Sequence, residues 1–175
     1  MTLTTHALVG AAAASLFPAH PYIAFAAGFA SHFAIDSIPH WDYVDYLRSV
    51  FKDEHDPLNK NMGGEGLVHD LLIIGADALL GCLLAAVAAV LLRIPLPIAL
   101  IGAGAGIYPD ALQFVYYKVR TTRAEPALRY LQLFHQWIQE GKHRYYWSIY
   151  KGIGYQVALI AVSFFIGVVV RVWGV

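Results

Sequence analysis

The sequence predicts an all-α fold, a polytopic helical bundle embedded in a membrane. Three observations carry that prediction. The chain is 58% hydrophobic and only 14% charged, against roughly 25% charged in soluble domains, and its mean hydropathy is +0.54. Five apolar stretches follow one another, and a bilayer core needs roughly 20 helical residues. Proline and glycine mark the breaks between them. This composition excludes a disordered chain, a collagen-like chain and an ordinary soluble enzyme. The 12 Lys and Arg balance the 12 Asp and Glu, so no basic surface points to nucleic acid. The lone Cys82 excludes an intrachain disulfide and a paired-cysteine metal knuckle. The start MTLTTH lacks the basic segment of a signal peptide.

The expected architecture is a single membrane domain over residues 1–175, with about five membrane helices and an amphipathic interfacial helix. The first stretch, residues 5–17, is short and alanine-rich, marginal as a span. Pro18 and Pro21 bracket a turn into the second, residues 22–38, which Pro39 ends. A polar loop over 42–66 closes on Gly63, Gly64 and Gly66. The third stretch, residues 67–92, is the clearest span, and Pro95 and Pro97 frame the turn into the fourth, residues 97–117. In the latter, Gly102 and Gly106 stand four apart, a spacing that suits close helix packing. A basic, aromatic segment over 118–154 holds Leu128, Leu131, His135 and Ile138 on one helical face, the pattern of a helix lying at a membrane surface. The fifth stretch, residues 155–173, has no ionisable group before Arg171.

If all five stretches cross, the N-terminus and the two long loops share one side. Of the cations, only Arg93 and Arg171 then fall opposite. The positive-inside rule makes the cation-rich side cytoplasmic and the C-terminus external, as in a prokaryotic inner membrane.

Four acids and three histidines fall within the apolar stretches: Asp36, Asp70, Asp77 and Asp110, with His6, His32 and His69. Each such group costs a few kcal/mol at mid-bilayer on insertion scales, so several persist only if they meet one another, water or a metal. His32 and Asp36 are one turn apart on one helical face. At about 1.5 Å per residue, most of the set falls in the inner half of the membrane, with Asp77 deeper, near the midplane.

Imidazole with carboxylate suits Zn, Mn or Fe(II). The count exceeds one four-ligand zinc site and fits two ions that activate water and clamp a phosphate. The expected metal ligands are His6, His32, Asp36, His69 and Asp110. Asp70 is the candidate general base, or a further ligand, and His40 and Asp42 are candidate catalytic residues just past Pro39. Asp77 and His135 are candidates for a supporting position, and Arg120, Arg123, Arg129 and Arg144 for gripping a phosphate. His20, His55 and His143 lie in the opposite turn or in polar sequence and receive no metal role.

The run Gly28-Phe29-Ala30-Ser31-His32-Phe33-Ala34-Ile35-Asp36-Ser37-Ile38-Pro39-His40-Trp41-Asp42 resembles the GxxSHxxxDxxPHxD pattern of the membrane-bound metal-dependent hydrolases. That family includes the LexA-regulated inner-membrane hydrolases and is distantly similar to zinc-dependent phospholipases C. Thr5-His6, His69 at a helix start and Tyr108-Pro109-Asp110 agree with it. The resemblance covers roughly the first 115 residues. The chain departs from it in lacking His-Arg before Gly64 and in having Ala111 and Leu112 after Asp110. The resemblance implies a metal-dependent hydrolase, and the depth of the site suggests a phosphoester in a lipid or lipid-linked substrate. Two other readings fit the intramembrane acids: a divalent-metal or proton transporter or channel, and a non-catalytic scaffold locked by a structural metal.

Overall fold

The computed structural model describes residues 1–38, 40–43, 47–48, 50–51, 61–62, 66–118, 125–139 and 149–173. Among them are six helices: α1 (Leu3–Ala14), α2 (Pro21–Asp36), α3 (Leu67–Leu91), α4 (Leu96–Lys118), α5 (Glu125–Gln139) and α6 (Ile149–Trp173). A two-residue antiparallel ladder joins β1 (Val50–Phe51) to β2 (Asn61–Met62) between α2 and α3.

Three helices, α3, α4 and α6, are long and apolar enough to cross a membrane by length and composition. That is fewer than the five expected from the sequence. Helix α1 has 12 residues and α2 has 16, about 18 and 24 Å at 1.5 Å per residue. The chain breaks at Pro18 and Pro21 set these lengths. Pro21 occupies the first turn of α2, where its fixed φ and missing N–H are tolerated.

Helix α1 lies at the centre, packed against α2, α3, α4 and α6. All but two of its residues are buried. Its alanines let neighbours approach closely: Ala7 and Ala11 pack with Ala85 and Ala89 of α3 and with Ala99 and Ala103 of α4. Against α4 the approach is backbone to backbone. A Cβ on Gly102 would overlap the Gly10 carbonyl and Ala14, and one on Gly106 would overlap the His6 carbonyl. Small residues at such crossings allow dispersion contacts that larger side chains would prevent.

The N-terminus of α1 is tied down from two sides. Asp77 of α3 accepts hydrogen bonds from the Leu3 N–H at 2.6 Å and the Thr4 N–H at 3.2 Å. It also accepts from the Thr4 hydroxyl at 2.6 Å and the Tyr43 hydroxyl at 2.9 Å. A carboxylate here satisfies orphan helix donors and sits at the positive end of the helix dipole. Gln156 of α6 accepts from the Thr2 and Thr5 hydroxyls at 3.0 and 2.8 Å and donates to the Trp41 carbonyl at 2.8 Å. Fixing this end of α1 fixes His6.

Helices α3 and α6 present apolar side chains outward, among them Leu72, Val90, Val157 and Phe165. An apolar surface of this kind suits lipid rather than water. Helix α5 is two-faced in the same sense. Gln132 and His135 are buried against the bundle, while Tyr130 (74% exposed), Leu133, Phe134 and Trp137 (69% exposed) face outward.

Candidate metal centre

Five ionisable side chains converge from four helices. His6 comes from α1, His32 and Asp36 from α2, Asp110 from α4 and His135 from α5. All are buried except Asp110, whose side chain is 26% exposed. Two groups of ligand atoms each lie within 4.8 Å of one another: His6, His32 and Asp36, and His32, Asp110 and His135.

Asp36 is the hub. Its Oδ2 lies 2.9 Å from His135 Nε2 and 3.4 Å from His32 Nε2. The Gln139 amide donates to the same oxygen at 2.9 Å. Its Oδ1 faces His6 Nε2 at 3.2 Å and the Met1 ammonium at 3.4 Å. The His6 approach is off the line of a hydrogen bond, so neither His6 nitrogen has a hydrogen-bond partner. His32 is pinned from the other side. Its Nδ1 is 2.8 Å from the Gly106 carbonyl, where it can only donate, leaving the Nε2 lone pair free. That Nε2 is 3.3 Å from His135 Nε2 and 3.7 Å from Asp110 Oδ1. The glycine that admits α1 thus also exposes the carbonyl that orients His32.

The donor set suits a borderline divalent cation. Two or three imidazoles with two carboxylates match Zn, Mn or Fe(II) rather than Ca or Mg. Buried polar atoms are ordinarily partnered. His6 Nδ1 and Nε2, His135 Nδ1 and both amide atoms of Gln132 are not. Those at His6 and His135 fall at the cluster, where water held beside a bound ion would satisfy them.

The remaining candidates lie elsewhere. His69 is 41% exposed at its side chain, and its Nδ1 is 3.0 Å from Asp70 Oδ1. Asp70 is fully buried and accepts from the Arg48 N–H at 3.0 Å. Neither falls within the two ligand groups among the described residues. Asp77 is engaged at the start of α1 and is likewise outside them. His40 stands at the edge: its Nε2 is 3.9 Å from Asp36 Oδ1 and 2.6 Å from the Met1 nitrogen. Burial, reinforced by that ammonium, pushes its pKa down to about 4. Asp42 is half-buried beyond it, and burial pushes the Tyr43 phenol up. Arg129 is on the exposed side of α5. Arg120, Arg123 and Arg144 lie outside the described residues, as do His55 and His143.

The structure adds Gln139, whose amide reaches both Asp36 and His135. It stands four residues after His135, the one sequence signal that it shares a face with the histidine. No known family model, curated protein or solved structure matches the chain.

Proposed function

We propose that this protein is an integral-membrane, metal-dependent hydrolase acting on a phosphoester of a lipid or lipid-linked substrate. The observation that supports it is the meeting of two carboxylates and three imidazoles from four helices around Asp36. Helices α1 and α2 lie within the bilayer beside the three longer helices. The cluster lies at the end of the bundle where α1 starts and α2 ends. With the cation-rich loops cytoplasmic, that end faces the inner headgroup layer of a prokaryotic plasma membrane. A site there meets lipid phosphates before soluble ones.

A bound divalent cation would polarise a phosphoryl oxygen and lower the pKa of water. The chain's own residues provide the rest. Gly106 and Gln139 orient His32 and Asp36. Asp110, partly exposed, marks the side from which a substrate would enter. The resemblance around His32 to Asp42 agrees with this reading.

The test is hydrolysis by purified protein reconstituted in liposomes with zinc or manganese, with release of phosphate or phosphorylated headgroup measured. Wild type releases product, and Asp36→Asn lowers the rate by at least about 100-fold. Metal-loaded, folded wild type with no hydrolysis across a panel of phospholipids and polyprenyl phosphates would sink the enzyme. Metal uptake into the vesicles instead would support a transporter.

A further inference from the structure

We infer that the cluster holds a single divalent ion coordinated by His32, Asp36, Asp110 and His135, with His6 stacked behind His32 and not bound to the ion. This deepens the metal reading above and rests on it; four protein ligands close a tetrahedral site, so hydrolysis would require the partly exposed Asp110 to yield its position to water. A metal lies in the plane of an imidazole ring, along the nitrogen lone pair. The His6 and His32 rings are stacked, 4.0 Å between centroids and 22° between planes. Two nearly parallel rings cannot both aim lone pairs at one point about 2.0–2.1 Å from each nitrogen. His32 and His135 can, since their planes stand 76° apart.

Distances select the same set. Bonds of about 2.0–2.1 Å in a tetrahedral site separate ligand atoms by about 3.3 Å. His32 Nε2 and His135 Nε2 are 3.3 Å apart. Asp36 Oδ2 is 3.4 Å from the first and 2.9 Å from the second. Asp110 Oδ1 is 3.7 and 4.0 Å from the same two nitrogens. These five edges bracket the tetrahedral value.

The surroundings also separate the histidines. Ligand histidines are ordinarily held through the other ring nitrogen, as His32 is by Gly106; the Nδ1 atoms of His6 and His135 have no such partner, so this feature marks His32, and ring orientation and distance distinguish the other two. The number of ions follows too. The two ligand groups share His32, whose one free nitrogen serves one ion, so both cannot be filled as sets of three, where the count of candidates in the sequence suggested two ions.

The test uses the full chain in detergent micelles, with zinc, cobalt and copper as probes. Wild type binds one zinc per chain by elemental analysis. Cobalt gives the intense visible absorption of a tetrahedral site, and copper resonance shows coupling to two imidazoles. His6→Phe, which keeps a stacked ring, weakens zinc binding by no more than about tenfold, and His135→Asn by at least about 100-fold. Size exclusion and circular dichroism report whether each variant is folded, and the wild-type copper spectrum decides if one is not. Two ions per chain, three coupled imidazoles, or equal losses in the two variants would overturn the ligand set. Absence of any metal overturns this inference together with the metal reading. Metal held by this set without hydrolysis overturns only the enzyme.

Discussion

Asp36 and Asp77 are both acids inside apolar helices, and their neighbours give them opposite roles. Asp36 gathers imidazoles, whereas Asp77 gathers the first donors of α1. Asp77→Ala leaves two backbone N–H groups without their partner. It should cost at least about 1.5–3 kcal/mol, the range for a hydrogen bond to a charged group, read as a lower unfolding temperature in detergent. Because α1 abuts Gly106, whose carbonyl orients His32, zinc affinity should also fall, by less than in Asp36→Asn. The sequence distinguishes these two acids only by depth. A residue number converts to height along a helix at about 1.5 Å per residue, but the angle at which one helix faces another is written nowhere locally. The i, i+4 pair His32 and Asp36 was legible because both sit on one helix. The exclusion of His69 and Asp70 from the cluster was not, because it depends on how α3 is rotated against α2. Gln139 was hidden for another reason: an amide has no metal-ligand signature, and its role exists only through Asp36.

Helix ends were read most readily where proline or glycine breaks the chain. Pro21, Pro95 and the glycines before Leu67 place the starts of α2, α4 and α3 within a residue or so of the expected positions. Helix α6 begins six residues before the expected 155. Its extra turns include Gly152, whose missing side chain admits Trp41, a tertiary contact without a local marker. The Gly102 and Gly106 spacing predicts close packing, and both glycines lie at the α1–α4 contact. Gly106→Ala must displace α1 from α4. It should destabilise the fold by about 1–3 kcal/mol, as overpacking does, and lower zinc binding because the His32 acceptor moves with it. Thermal unfolding and metal content measure both. Helix α5 offers a different check. With Trp41, Trp147 and Trp173 replaced by Phe, Trp137 should be quenched by lipids brominated near the headgroup and little by aqueous iodide. Tyrosine and tryptophan favour that layer, and the reverse pattern would place the helix in water.

At the scale of the molecule, the apolar surface of α3 and α6 and the layer of ionisable groups at one end define a polarity along the bundle axis. Labelling from the two sides tests its sense. In a Cys82→Ala background, Arg48→Cys should react with an impermeant maleimide only from the cytoplasmic face, and Arg93→Cys only from outside. Equal labelling from one side would mean that α3 does not cross. The membrane class was legible from composition alone. The short central α1 was less so, because hydropathy cannot tell a helix sheltered by protein from one facing lipid.

The orientation of α5 has a consequence for how the protein is made. Its polar face is acceptable only against the bundle, and its aromatic face only against lipid. It therefore has no stable seat until α2 and α4 stand together in the membrane. His135 is on the fifth of the six helices among the described residues, so a chain arrested before that residue would carry His32, Asp36 and Asp110 but lack the fourth member of the proposed ligand set. Metal capture by that set would thus follow insertion and could not guide it.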